Sequence, residues 1–351
     1  MATERIWTVS ANGLEDDGVT VTDYSDPQLW DTTEAYDAVT ADEIPVLEFF
    51  SHAAGVFSGT GNLLTLNGTW VTDTTRYIII RTRPDQRHDG TPAGSTAQYT
   101  ATNNAIFLTL NQTTNLSVLV QGIYFRTNAS AANFNRLVLI TRADNIWVDG
   151  CLGVFDQHGG NGSNFYATTT RAANIRFRNN ISIDNAGGLD SHMPVRDTTS
   201  PIVTELYNNT LIGGDIGIDG DGLTLNSQTS IKNNIVQSAT TNYSLLGSPI
   251  TAANISSDAT SPQTSLRNIS LTFNNAAADD YHLASGDTDA IDAGEDLTTA
   301  FQAYPHATSV DIDGDTRPTG ASTWDIGADE FVSAGGGGFA GWPIIHLTQM
   351  C

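Results

Sequence analysis

Asp190, His192, Arg196, Asp219 and Asp221 are the residues whose types could act together. Read against a local repeat of 29 residues, Asp190 stacks over Asp219 and His192 over Asp221. The candidate catalytic group is then Asp190, His192, Asp219 and Asp221, and the candidate carbohydrate contacts are Arg196, Asp190 and Asp219. Paired carboxylates suit glycoside hydrolysis, because one must give up a proton while the other attacks or activates water. Crowded like charges also raise one pKa toward the working range of an acid. The competing reading is that Asp219-Gly220 and Asp221-Gly222 are ordinary solvated turns.

A second group alternates: Asp311, Asp313 and Asp315. Alternating carboxylates suggest a loose calcium loop. An EF-hand is excluded, because Gly314 is fourth rather than sixth and position twelve is Ser322. The alternative is a turn in which Arg317 pairs with a neighbouring carboxylate. His158, in a glycine-rich loop, has no partner at metal-ligand spacing. Phosphate loops, nucleophile elbows and zinc patterns are absent from the sequence. Other cofactors are not expected.

These residues need a scaffold, and composition restricts it. The 351 residues carry 15 Lys+Arg against 39 Asp+Glu, a formal net charge of −24. Such a chain does not neutralise phosphates, so nucleic acid is not an expected partner. It does not bind an anionic membrane surface either, and no apolar run reaches the roughly 20 residues of a spanning helix. The N-terminus Met-Ala-Thr-Glu-Arg-Ile-Trp lacks the basic and apolar regions of a signal peptide, so secretion by that route is not expected. Two cysteines, Cys151 and Cys351, make no disulfide framework.

The scaffold itself is written as a repeat. Leu116 to Ile123, Ile146 to Cys151, Ile175 to Ile181, Leu206 to Thr210 and Ile231 to Ile235 align on Gly122, Gly150, Asn180, Asn209 and Asn234. The intervals are 28, 30, 29 and 25 residues. Each unit is a short strand, a polar two-residue bend and another apolar strand. One unit cannot bury its apolar face alone, so units stack about 4.8 Å apart and share a core. The pattern predicts an all-β chain, a right-handed parallel β-helix, with Asn180, Asn209 and Asn234 as an amide ladder. A β-sandwich with accidental spacing is the alternative. Asp26-Pro27 opens a short amphipathic helix to Asp37, whose Leu29, Trp30 and Tyr36 would cap the first coil. The expected division is an N-terminal cap and first coils over 1–70, the β-helix over 71–270, and C-terminal coils and cap over 271–333. A glycine-rich linker and apolar tail fill 334–351.

Three C-terminal blocks carry a resemblance: Asp280-Tyr-His-Leu283 running on to Ala290-Ile-Asp-Ala-Gly294, Asp311-Ile-Asp-Gly-Asp-Thr-Arg-Pro318, and Asp325-Ile-Gly-Ala-Asp-Glu-Phe331. They are similar to the C-terminal end of right-handed parallel β-helix repeat proteins. Asp23-Tyr-Ser, Leu29-Trp30, Ala41-Asp-Glu-Ile44 and Thr74-Thr-Arg-Tyr77 resemble β-helix proteins of tailed bacteriophages and prophages. This resemblance implies a structural or adhesive virion protein: a tailspike, fibre or head decoration. Such a protein would touch a host glycan and form a homo-oligomer, a trimer in many spikes. A strongly anionic chain repels polyanions at low salt, which favours neutral or weakly charged sugars. The tail residues Trp342, Pro343, Ile344, Ile345 and Leu347 would either fold back or dock on another subunit. The alternatives are a polysaccharide lyase or glycoside hydrolase on the same fold, and an exported bacterial adhesin.

Overall fold

A computed structural model describes residues 2–15, 19–50, 57–92, 99–112, 116–127, 135–156, 163–167, 174–187, 191–194, 203–303, 305, 309–319 and 323–332. Strands dominate, and the ladders between them are parallel. The first column of strands runs from Thr3–Val9 through Glu43–Phe49, Ile78–Thr82, Ser117–Gln121, Asn145–Asp149, Asn174–Arg178, Val203–Tyr207 and Thr229–Lys232 to Ile250–Ala252. The second includes Tyr124–Thr127, Leu152–Phe155, Ile181–Asp184, Thr210–Ile212, Ile235–Gln237 and Ile255–Ser256. The long strand Tyr99–Asn111 serves two columns. Its first residues pair with Tyr124–Thr127, and its later ones with Arg136–Arg142. The latter line continues through Phe165–Ala167, then by backbone bonds through His192 to Ile216–Leu225 and Thr241–Gly247.

From Ser117 onward the chain visits these three columns in fixed rotation. That path is compatible with a β-helix solenoid. The strands are short because each is stopped by a bend. Val118, Val120, Ile123, Phe125, Val138 and Ile140 are fully buried in the shared interior.

The bends between the first and second columns show why the polar pairs recur. Gly122, Gly150, Asn179, Asn208, Asn233 and Ala253 all adopt left-handed backbone, with φ between 47° and 65°. Asparagine and glycine tolerate that region best. The residue after each bend builds the expected ladder. Asn180 donates to Asn209 Oδ1, Asn209 to Asn234 Oδ1 and Asn234 to Asn254 Oδ1, at 2.9, 2.9 and 3.0 Å. Gln263 receives the last bond from Asn254 at 3.1 Å. Cys151 is level with Asn180, whose Oδ1 accepts its N–H. So Gly150 aligns with Asn179, one residue off the alignment drawn from sequence, and that interval is 29 rather than 30. The next steps are 29, 25 and 20 residues. Glycine is favoured at Gly150 for a second reason. A Cβ there would lie 1.6 Å from the Arg87 guanidinium, which crosses the bend and donates to Gly150 O.

Asp26 caps the helix Pro27–Glu34, accepting the Gln28 N–H at 2.9 Å. Trp30 is buried between Trp7 and Trp70, with ring centroids 6.1 and 5.0 Å away. Leu29 does not join it; it is 53% exposed, on the solvent side of the helix.

After Ser256 the described chain forms no further strand, only turns, the 3-10 segments Thr264–Leu266 and Ala276–Ala278, and the short helix Thr298–Gln302. Leu271, Phe273, Tyr281, Leu283, Ile312 and Ile326 form one apolar cluster with Tyr124, Leu152, Ile181, Ile183, Ile212 and Ile235. The C-terminal segment therefore lies along the outer face of the second column. Asn179 and Asn208 hold it through Val310 O, Asp325 O and Gly327 O.

Candidate functional site

His192 opens the strand pair that was expected to carry catalysis. It is fully buried. Nε2 donates to Gly213 O at 2.9 Å, and Nδ1 meets Ser182 Oγ at 2.5 Å. Asn164 donates to the same Ser182 oxygen at 2.9 Å. This polar chain sits inside the stack because the second column turns Ile181 and Ile183 outward, under the C-terminal segment, leaving Ser182 facing in. His192 therefore lacks solvent access for proton exchange with a substrate.

The register also differs from the one read off the repeat. Met193 pairs with Ile218 and Pro194 with Asp219, a step of 25 residues instead of 29. The loop at this level is shorter than in the coils before it, so Pro194 rather than Asp190 is the neighbour of Asp219. The same step sets His192 level with Gly217, not Asp221. Asp219 is half-buried and pairs onward with Ser244. Asp221 lies on the strand Ile216–Leu225. Asp190, Arg196 and the tail residues Trp342 to Leu347 lie outside the described residues.

An open groove of about 600 Å³ lies next to this level. Its walls are the bends that end three stacked strands of the second column: Asp184 to Gly187, Ile212 to Asp215, and Ser238 with Thr240. Tyr281 of the C-terminal segment closes one side. Asp184 Oδ1 accepts the N–H groups of Ala186 and Gly187 at 2.9 and 3.1 Å, which fixes that bend. Gly213 has φ 79°, and a Cβ there would lie 2.4 Å from Asp184 O, so the floor admits only glycine. Asp215 stands exposed on the next bend. Asn185 spans to Asp156 and Asp279, each at 3.2 Å. Carboxylates, amides and hydroxyls beside an aromatic ring can accept and donate hydrogen bonds to sugar hydroxyls. The sequence signal for this groove is the Gly213-Gly214-Asp215 run after an apolar strand, repeated one coil on by Ser238-Ala239-Thr240.

The C-terminal carboxylates form a second concentration of charge. Asp311 Oδ1 accepts from Gly314 and Asp315 N–H at 2.9 and 2.8 Å, and Oδ2 from Glu330 N–H at 2.8 Å. Asp311 thus shapes the turn from inside. The Asp313 carboxyl lies beside that of Asp311, with its Oδ2 3.8 Å from His282 Nε2. Arg317 is fully buried and donates to Glu330, Asn179, Gly327 O and Ala328 O. Burial lifts Glu330 to about 7 against the pull of Arg317, and lifts Asp329 to about 6. Burial alone would lower His282, but Asp329, Asp280 and Asp313 outweigh it and hold the imidazole above its ordinary value.

No family model matches this chain, and neither a curated protein nor a solved structure matches it significantly.

Proposed function

We propose that the chain is an adhesive rod, a right-handed parallel β-helix whose corner groove holds a neutral or weakly charged host glycan. The groove formed by Asp184, Asn185, Gly213, Gly214, Asp215, Thr240 and Tyr281 carries this reading. The three-column rotation supports a wound solenoid as its scaffold. A net charge of −24 disfavours polyanionic sugars. The resemblance of the N-terminal blocks is the ground for proposing a virion role, as a tailspike, fibre or decoration, in which the apolar tail would dock on another copy.

A glycoside hydrolase is the second reading, favoured by Asp184 and Asp215 on neighbouring bends of one groove. Saturation-transfer NMR with a panel of neutral oligosaccharides tests both. Binding that weakens about tenfold in Asp215→Ala, with no release of reducing ends, is the expected result. Reducing ends released by the wild type and lost in Asp215→Ala would replace adhesion with hydrolysis. Absence of binding, or binding indifferent to Asp215, would remove the groove from the account.

A further inference from the structure

We propose that His282, Asp313 and Asp329 form a site for a first-row divalent transition-metal ion, with Zn2+ as the representative. One ligand atom from each lies within 4.8 Å of the others. Two ligands each about 2.0–2.2 Å from one ion are at most about 4.4 Å apart. The 3.8 Å between His282 Nε2 and Asp313 Oδ2 already falls inside that span. A small rotation of the exposed Asp313 completes the set.

Three independent features point at an ion rather than at a chance gathering of acids. First, Asp280 Oδ1 holds His282 Nδ1 at 2.7 Å. A carboxylate on one ring nitrogen places the proton there and turns the other lone pair toward the ion. Second, His282 Nε2 is buried and has no hydrogen-bond partner among the described residues. A buried polar atom without a partner is costly. Third, the backbone beside it is kept bare: a Cβ on Gly90 would lie 2.9 Å from His282 Nε2.

Charge agrees with this geometry. Asp280, Asp313 and Asp329 surround one imidazole, and Asp311 adds its charge beside Asp313 and Asp329. The nearby cations are engaged elsewhere, Arg87 on Gly150 O and Arg317 on Glu330. One imidazole nitrogen with two carboxylates is a zinc-type donor set. Calcium takes six to eight oxygens instead, and Asp311 is committed to backbone N–H groups. Asp329 is nearly buried while the Asp313 side chain is 30% exposed, so the open side faces water and gives an entry path. The ligands come from three blocks of the C-terminal segment, so the ion would tie together turns that share no strand.

The test uses the full chain stripped with EDTA, titrated with Zn2+, Mn2+ and Ca2+ by calorimetry and by thermal unfolding. One Zn2+ per chain is expected, with Tm raised by several degrees and binding at least tenfold tighter than Ca2+. Asp313→Asn, at the exposed ligand, should weaken Zn2+ at least tenfold while the metal-free Tm stays within about two degrees of wild type. His282→Gln should show the same loss of the Zn2+-dependent rise in Tm. Zn2+ that does not bind, Zn2+ binding unchanged in Asp313→Asn, or a preference for Ca2+ would each overturn the assignment.

Discussion

Asn209 shows what one side chain does in a stacked fold. Its amide donates to Phe177 O at 3.0 Å and to Asn234 Oδ1 at 2.9 Å, while its Oδ1 accepts the N–H and the amide of Asn180. It is fully buried. Each coil is thus bonded to the coil below and to the backbone behind it. Leucine fills similar space but leaves Asn180 and Phe177 with unmet buried groups, each worth about 1–3 kcal/mol. Asn209→Leu should lower stability by about 2–4 kcal/mol, read as a lower urea midpoint with the m-value unchanged. A loss below about 1 kcal/mol would show the ladder to be dispensable. The ladder was legible in sequence because a polar pair inside an apolar pattern has few other uses. The Gly122 and Gly150 register was less legible. There the bend residue is glycine because of Arg87, which is distant in sequence. The burial of His192 was not legible for a related reason. Alternation predicts which residues share a face, but not which face water touches. Here the second column turns its apolar side out, under the C-terminal segment.

At the scale of elements, the C-terminal segment is the unusual part. It has no ladder of its own, so beside scattered backbone bonds such as Ile312 N–H to Ala328 O and Ile326 N–H to Ala290 O, many of its backbone N–H groups are met by side chains. Asp287 serves Thr272, Phe273 and Ala284 N–H, Asp325 serves Asp292 and Phe331 N–H, and Asp329 serves Leu283 N–H. The aspartate-rich blocks quoted as a resemblance are these backbone acceptors, which is why their spacing is informative about fold and not about activity. The docking of the segment along a sheet face was not legible, since it depends on which strand faces stay uncovered. Arg317 joins segment to stack by bonding Glu330 on one side and Asn179 on the other. Arg317→Met leaves Glu330 buried without its cation, a change of about 3–5 kcal/mol. Hydrogen exchange should then rise over 309–332 and 280–295, while Ser117–Gln121 and Asn145–Asp149 keep wild-type protection. Equal loss of protection in both regions would mean that segment and stack fold as one cooperative unit.

The whole molecule carries 39 acids against 15 Lys+Arg, and some of those acids are buried. Burial raises Asp31, which accepts from Trp70 Nε1 at 2.7 Å, and burial likewise raises Asp325. An acid whose folded pKa lies above its unfolded value holds its proton longer in the folded state. Its stabilising effect is therefore complete below about pH 4, the unfolded value, and is lost as pH rises through the folded value. Repulsion at −24 acts in the same direction as pH rises. Asp73 and Asp258 oppose this at the acid end. Burial would raise both, but hydrogen bonds from Thr75 and Arg76 N–H, and from Thr260 and Asn242, lower them. Their contribution is present above about pH 4 and is lost as pH falls through their folded values. The two trends meet at a stability maximum near pH 4–5. Thermal unfolding from pH 3 to 8 in EDTA should show Tm highest in that window and falling toward pH 8. Adding 0.5 M NaCl should reduce the fall, because it screens the repulsion and not the buried groups. Asp31→Asn keeps an acceptor for Trp70 without a charge to bury, so it should flatten the slope between about pH 4 and 7. A Tm that climbs steadily from pH 4 to 8 would mean that ion pairs, such as Arg81 with Glu4 and the buried Glu48, outweigh desolvation and net charge together.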